Sequence, residues 1–367
     1  MSALARTPLH ARHVALGARM VPFAGFEMPV QYAGVVEEHR AVREAVGVFD
    51  VSHMGEVELK GPRAVEVADR IVTNHVGRLA DGQACYTCMC RPNGGIVDDL
   101  VVYRVSAEHV LICVNAANRA GDFAYMSELA GEDCAIEDTG DRWAQIAVQG
   151  PKAAELVQRL TPLALDGIRT YHFALGEVAG ASGIVARTGY TGEDGFELYV
   201  PAEQAGSVWD AVLSGGDDLG VAPAGLGARD SLRLEMGYPL YGNDIDETTN
   251  PYEAGLGWVV KLKKSGDFAG RAALEAVKAA GPERKLVALD VTGRGIARPG
   301  YPVLDPQGTP VGKVTSGTQG PTVGRPIALA YVPAALAAEG TELAVEIRGR
   351  PVPARVGRKP FLRRPQA

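Results

Sequence analysis

The hydrophobic positions of the chain follow two periods, and one combination of the two occurs twice. Residues 57–71 begin with strand-like alternation, continue with a Gly-Pro pair and end with apolar residues spaced three or four apart. Residues 146–160 show the same order. A period of two predicts a strand, and a spacing of three to four predicts an amphipathic helix. Proline suits the first helical turn because its missing N–H would have no partner there. The pattern predicts an α+β fold with helices packed on antiparallel sheets.

Further apolar runs of strand length are bounded by turn residues, and they lie at 85–91, 96–105, 111–115, 183–187 and 196–200. The Pro-Asn-Gly-Gly sequence at 92–95 predicts that the first two runs form a hairpin. Residues 188–195 form a glycine-rich loop, and 223–260 follow neither period throughout.

The pattern changes after Gly281. Short apolar runs separated by Gly and Pro lie at 286–291, 311–315, 327–332 and 342–347. This spacing predicts a separate small domain, either a β barrel or a β sandwich.

Composition narrows the class of protein. A chain of 367 residues is long enough for two or three domains. The net charge of -7 argues against a nucleic-acid-binding surface, although the basic residues from Arg355 onward could meet an acidic ligand or partner. No run of 18 apolar residues occurs, so no membrane span is expected. Five cysteines are too few for a disulfide scaffold, which favours the reducing cytoplasm. The basic N-terminus is interpreted as a first helix of the fold rather than a transit peptide.

Common catalytic motifs do not occur in the sequence. It has no P-loop, no Gly-x-Gly-x-x-Gly opening a helix, no His-Glu-x-x-His and no Gly-x-Ser-x-Gly, so no nucleotide or metal is expected. Cys85 and Cys88 form a Cys-x-x-Cys, but the second cysteine pair of a closed zinc site is missing. We interpret this run as small side chains within a strand.

Two acidic positions within apolar strands are candidate functional residues. In Asp98-Asp99 only one carboxylate can face a given pocket, because successive strand residues point to opposite faces. A charged group in such a run loses water, so either an ion pair or a functional role is needed. Glu197 is also a strand carboxylate, near Tyr190 in the glycine-rich loop, although it could instead face solvent. A carboxylate beside an aromatic ring suits a flat heterocycle with N–H donors.

Arg229 and Arg233 lie four residues apart and would share one face of a helix. Such a pair could hold a carboxylate, or it could be solvated surface charge. These candidates together suggest a cleft for a polar aromatic ligand with acidic groups.

Strings along the whole chain are similar to those of the glycine cleavage T-protein family. In order they are TPL at 7–9, PFAG at 22–25, MPVQY at 28–32, FDVSHMG at 49–55, NGGIVDDL at 93–100, RTGYTGEDGFE at 187–197, GARDSLR at 227–233, YGND at 241–244, GW at 257–258 and VTSGT at 314–318. The resemblance implies a three-domain cloverleaf of antiparallel sheets with packed helices around a central folate site. It implies a discontinuous folate-binding domain (1–50 and 140–280), an inserted α+β domain (51–139) and a C-terminal β barrel (281–367).

The implied reaction moves the one-carbon unit of an aminomethyl group from the lipoyl arm of the H protein to tetrahydrofolate. Its products are 5,10-methylenetetrahydrofolate, ammonia and the dihydrolipoyl H protein. Asp99 resembles the family's critical carboxylate, which holds the folate near N10 and favours attack by N5. The other implied ligand-binding residues are Met54, Tyr86, Asn115, Tyr171, Tyr190, Glu197, Arg229, Tyr238 and Arg363. His172 stands where the family often has Tyr, which bears on the assignment of its neighbour Tyr171.

Two other functions remain open at this point. A related folate enzyme, such as a demethylase with a free small-molecule donor, would share the fold and much of the pocket. A non-enzymatic folate-binding protein related to iron–sulfur assembly factors is disfavoured, because the characteristic Lys-Gly-Cys-Tyr-x-Gly-Gln-Glu string is absent.

Overall fold

A computed structural model describes residues 3–362 of the chain. The α-helices in this range are His10–Ala15 (α1), Val35–Glu44 (α2), Ala64–Ile71 (α3), Arg119–Ala130 (α4), Ala153–Leu160 (α5), Ala205–Ser214 (α6), Leu226–Glu235 (α7) and Arg271–Ala280 (α8). No helix within the described range is both long and apolar enough to cross a membrane.

The strands are Arg19–Phe23 (β1), Phe26–Gln31 (β2), Val46–Asp50 (β3), Gly55–Lys60 (β4), Gln83–Cys90 (β5), Ile96–Ser106 (β6), His109–Val114 (β7), Ala135–Asp138 (β8), Trp143–Gln149 (β9), Phe173–Val178 (β10), Ala181–Ala186 (β11), Gly195–Pro201 (β12), Val221–Pro223 (β13), Arg284–Val291 (β14), Pro302–Leu304 (β15), Pro310–Gln319 (β16), Pro326–Pro333 (β17), Glu342–Ile347 (β18) and Arg350–Gly357 (β19).

The predicted α+β class is confirmed. One sheet has six strands in the order β10-β11-β12-β9-β3-β13, a second has five in the order β5-β6-β7-β4-β8, and β1 and β2 form a hairpin. Both repeated segments fold as predicted, into β4 followed by α3 and β9 followed by α5. The sheets are antiparallel except that β13 pairs with β3 in parallel, a pairing that the local pattern did not predict.

The C-terminal domain is a closed barrel rather than a sandwich, with the strand order β14-β17-β16-β15-β18-β19. Its interior is filled by small branched side chains, and Leu289, Val303, Val314 and Val345 are at most 1% exposed. Two strands, β15 and β19, were missing from the sequence prediction. β15 has only three residues, and β19 contains prolines, which disfavour a strand assignment.

The chain divides into two compact units. One consists of the chain up to Thr87 together with Asp99–Arg229, and the other of Cys88–Asp98 and the chain from Asp230 onward. The finer boundaries of the three-domain interpretation stay a prediction. In the first unit, helices α5 and α6 cover the six-stranded sheet, with Leu156, Val157 and Trp209 in its core. In the second, a backbone hydrogen bond from Ile96 N–H to the Thr249 carbonyl oxygen joins the two segments.

Candidate functional site

Asp99 lies in β6 with both carboxylate oxygens hydrogen-bonded. Tyr86, on the neighbouring strand β5, donates its hydroxyl to Oδ2 at 2.8 Å. Asn115, just past the end of β7, donates Nδ2 to Oδ1 and to the Asp99 carbonyl oxygen, both at 2.9 Å. Asp98 is fully buried, whereas Asp99 is half-buried, as expected if successive strand residues point to opposite faces. The predicted residues Tyr86, Asp99 and Asn115 therefore form one hydrogen-bonded group.

Glu197 lies in β12 and is 8% exposed, so the solvent-facing alternative is wrong. Thr188 donates its hydroxyl to Oε2 at 2.6 Å, and Gln145 of β9 donates Nε2 to Oε1 at 3.1 Å. Burial raises the pKa of Glu197 above its ordinary value, against the hydrogen bond from Thr188 and the positive charge of Arg229. The site thus holds a buried carboxylate whose charge several neighbours support.

The hydrogen bonds continue from Glu197 into the space between the two sheets. Gln145 Nε2 also donates to the Tyr199 hydroxyl at 3.1 Å, and this hydroxyl donates to the Tyr103 hydroxyl at 3.0 Å. The Cys113 thiol lies 3.7 Å from Gln145 Oε1. Such a network holds the Glu197 side chain in one orientation.

Arg229 lies in α7 and stacks on the glycine-rich loop. Its guanidinium carbon is 4.8 Å from the centre of the Tyr190 ring, within the range of a cation–π contact. The same arginine charge acts on Glu197, so Tyr190, Glu197 and Arg229 form a second group.

One face of β6 connects the two groups. Asp99 and Tyr103 lie four residues apart in this strand, and residues at an even spacing share a strand face. The Tyr103 hydroxyl belongs to the hydrogen-bonded network of Glu197. Asp99 and the Glu197 network therefore lie at the same face of β6.

The remaining predicted residues are less directly placed. Met54 packs on the hydrophobic cluster that includes Tyr199 and Cys113. Tyr171 has a positive φ of 58° and is 38% exposed. Tyr238 lies in the second compact unit, where its carbonyl oxygen accepts a hydrogen bond from Arg233, and Arg363 lies outside the described residues. Roles for these four residues stay predictions.

The structure does not support the interpretation of Arg229 and Arg233 as a joint carboxylate-binding pair. The alternative, that Arg233 is a solvated surface charge, is wrong. Arg233 is 1% exposed. It donates to Asp244 at 2.7 Å and to the Ser316 hydroxyl at 2.7 Å. A guanidinium satisfied by buried internal partners serves packing.

Sequence reasoning missed Thr188 and Gln145, the direct partners of Glu197. Gln145 carried the same signal as Asp99 and Glu197, a polar residue within an apolar strand. It also missed His53, which is buried at 3% exposure within the FDVSHMG string.

The Cys-x-x-Cys run lies in β5, where Cys88 and Cys90 are fully buried. Across residues 3–362, no three His, Cys, Asp or Glu side chains come together as a metal-binding group. Cys88 and Cys90 thus fit the interpretation as small core side chains, whereas Cys85 is half-buried.

Comparison with known proteins gives matches along nearly the whole chain. The GCVT N-terminal domain family matches residues 9–264, and the glycine cleavage T-protein C-terminal barrel domain family matches residues 284–362. An aminomethyltransferase of Symbiobacterium thermophilum is 50% identical over 99% of this chain and 98% of its own length. Another, from Chloroherpeton thalassium, is 48% identical over 97% of this chain and 98% of its own.

A solved structure agrees with the sequence matches. The glycine cleavage system aminomethyltransferase T of Bartonella henselae superposes with a TM-score of 0.92 at 35% identity, covering 98% of each chain. Fold, family matches and full-length identity lead to one conclusion: the chain belongs to the glycine cleavage T-protein family.

Proposed function

We propose that the chain is a tetrahydrofolate-dependent aminomethyltransferase that transfers a one-carbon unit from an aminomethyl donor to tetrahydrofolate. The observation that carries the proposal is that Asp99, held at both oxygens, and the hydrogen-bonded network of the buried Glu197 lie at one face of β6. Relatives of about the same length, 50% and 48% identical, are aminomethyltransferases.

The residues around Glu197 fit a pterin chemically. A carboxylate with two oxygens can accept two adjacent N–H donors, such as those of an amino-pyrimidine edge. Tyr190 supplies an aromatic face, and its stacking with Arg229 holds the ring in place. Burial excludes competing water, which strengthens each of these contacts.

Asp99 is suited to electrostatic stabilisation. Tetrahydrofolate supplies the nucleophilic nitrogen, and positive charge develops where the amine leaves. A fixed carboxylate stabilises that charge without reorganising, because Tyr86 and Asn115 already hold both oxygens. Asp99 therefore acts by position and charge, and no covalent intermediate with the chain is needed.

The donor in this proposal is the aminomethyl group on the lipoyl arm of the H protein. Support comes from family membership and from the T-protein relative of Bartonella henselae, which belongs to the glycine cleavage system. The cytoplasmic location stays a prediction from cysteine usage.

The decisive experiment measures ammonia release from aminomethylated H protein with and without tetrahydrofolate. We expect strong stimulation by tetrahydrofolate, with methylenetetrahydrofolate appearing in equal amount. Folate binding without stimulation would instead favour a demethylase acting on a free small-molecule donor.

A further inference from the structure

Gln149 is a buried polar residue at the end of β9, and it is 1% exposed. In the pairing of β9 with β12, Ala147 lies opposite Glu197 and Gln149 lies opposite Gly195. Paired residues share a face of the sheet, and so do residues two apart in one strand. The Gln149 side chain therefore lies on the face of the sheet that carries Glu197.

The amide of Gln149 holds the glycine-rich loop at two points. Its Nε2 donates to the Thr188 carbonyl oxygen at 3.0 Å, and the Thr191 hydroxyl donates to its Oε1 at 2.9 Å. The loop backbone lies directly against this amide, because a Cβ added to Gly189 would be 2.0 Å from Oε1. A buried amide with both ends bonded in this way fixes the loop segment 188–191.

Thr188 connects the amide of Gln149 to the carboxylate of Glu197. Its carbonyl oxygen accepts from Gln149, and its hydroxyl donates to Glu197 Oε2 at 2.6 Å. Arg43 of α2 adds a further contact to the same loop, because its Nη1 donates to the Thr191 carbonyl oxygen at 2.6 Å. Hydrogen bonds thus run without a gap from Gln149 to the carboxylate that would bind the ligand.

We propose that Gln149 is a positioning residue for folate binding, which fixes the glycine-rich loop so that the Thr188 hydroxyl holds Glu197 in its ligand-binding orientation. This inference rests on the proposed function, in which Glu197 accepts the N–H groups of the pterin. Gln149 acts through Thr188 rather than on the ligand. A loop that is already fixed lowers the ordering cost of binding.

The test begins with Gln149→Met in the full-length chain, because methionine has a similar length and volume but no amide. We expect the Kd of tetrahydrofolate, measured by direct titration, to rise about five- to twentyfold. At saturating tetrahydrofolate, kcat should change less than about threefold, because Asp99 keeps its own partners Tyr86 and Asn115.

The pH dependence of folate affinity gives a readout that a merely structural role would not move. The hydrogen bond from Thr188 lowers the pKa of Glu197 against the effect of burial. Loss of this bond raises the pKa, so the pH at which folate affinity falls should move upward in Gln149→Met. Thr188→Val removes the hydroxyl itself and should shift this pH in the same direction.

Gln158 in helix α5 provides the matched control. Its amide also holds loop backbone: Nε2 donates to the carbonyl oxygens of Thr161 and Leu163, and Oε1 accepts from the Leu165 N–H. None of these contacts involves the Glu197 network. Gln158→Met should therefore lower Tm while the Kd of tetrahydrofolate and its pH dependence stay at the wild-type values.

A double variant tests whether Gln149 acts through Thr188. If it does, Gln149→Met combined with Thr188→Val should raise Kd no more than about twofold beyond the larger single effect. Fold-changes that multiply fully in the double variant would overturn the inference. So would a Gln149→Met protein that loses Tm but keeps the wild-type Kd and pH dependence.

Thr191→Val frees only the Oε1 end of the Gln149 amide and replaces Gln149→Met if that variant does not fold. A smaller rise in Kd is expected, and an unchanged Kd would overturn the inference. A wild-type chain that binds tetrahydrofolate but releases no ammonia from aminomethylated H protein would contradict the donor in the proposed function, while the Kd comparison still tests Gln149. A wild-type chain that binds no tetrahydrofolate would contradict both.

Discussion

The Asp99 carboxylate accepts hydrogen bonds from a hydroxyl and an amide, which hold its negative charge in a fixed position. Its substitution by Asn preserves size while removing this charge. We expect Asp99→Asn to lower kcat by about 10²- to 10³-fold, because a preorganised electrostatic contact acts mainly in the transition state. The Kd of tetrahydrofolate should change by only a few-fold.

Steady-state kinetics and folate titration on the same variant separate these two effects. Equal losses in kcat and folate affinity would make Asp99 a binding residue instead.

The raised pKa of Glu197 gives a prediction for pH. Because the ionised carboxylate accepts the N–H groups of the ligand, folate affinity should fall as pH drops through a pKa that lies above the ordinary value of a glutamate. Glu197→Gln should bind tetrahydrofolate weakly at neutral pH and lack this acidic limb. Folate titrations from pH 5 to 8 measure this loss of affinity. If the loss at acidic pH persists in Glu197→Gln, it belongs to another titrating group.

Burial lowers the pKa of His53, and this shift predicts a stability effect. The unfolded histidine takes up a proton near its ordinary pKa, whereas the folded one does so only near a pKa of about 4. The unfolded state therefore binds more protons in this window, and stability falls as pH drops from about 6.5 to 4. We expect the free energy of unfolding of the wild type to fall by about 3 kcal/mol more than that of His53→Phe across this window. Urea unfolding at pH 7 and pH 4.5 tests this, and parallel losses in the two proteins would contradict it.

At the scale of elements, strands β9 and β12 approach closely beside Glu197. A Cβ added to Gly195 would lie 2.4 Å from the Val148 carbonyl oxygen, so Gly195→Ala must push the two strands apart. We expect a loss of stability of about 1–3 kcal/mol, as for overpacked cores, together with weaker folate binding. Chemical denaturation and folate titration measure the two effects.

Gly121, in helix α4, provides the matched control. A Cβ there meets no atom within 4 Å, so Gly121→Ala should stabilise the chain by about 0.5–1 kcal/mol. Equal stability of the two variants would show that β9 and β12 can separate at little cost.

At the scale of the whole molecule, the second compact unit contains a buried ion pair between Arg233 of α7 and Asp244. Ser316 of the barrel strand β16 hydrogen-bonds to both, and the Thr315 hydroxyl also donates to Asp244. Arg233→Met leaves the Asp244 carboxylate buried without its cation, which typically costs about 3–5 kcal/mol.

We expect Arg233→Met to lower Tm strongly. If the double variant with Asp244→Asn loses less stability than the two single variants added together, the two residues are coupled. Additive effects in calorimetry would show that the two residues act independently.

The sequence by itself determined several of the strands and helices and the main candidate carboxylates. Periodicity within short windows depends only on neighbouring residues, so the repeated strand–helix segments and the hairpin at 85–105 could be predicted. Asp99 and Glu197 stood out because a carboxylate in an apolar strand needs a partner or a role. The resemblance to the family added Tyr86 and Asn115, which periodicity alone could not have identified.

Only the tertiary structure decided which residues partner one another. Gln145 reaches Glu197 across paired strands 52 residues apart in sequence, and Arg233 reaches Ser316 across 83. Such contacts depend on strand order and register, which arise from packing of the whole sheet rather than from local pattern. The same holds for the closed barrel, because closure requires the first and last strands to pair.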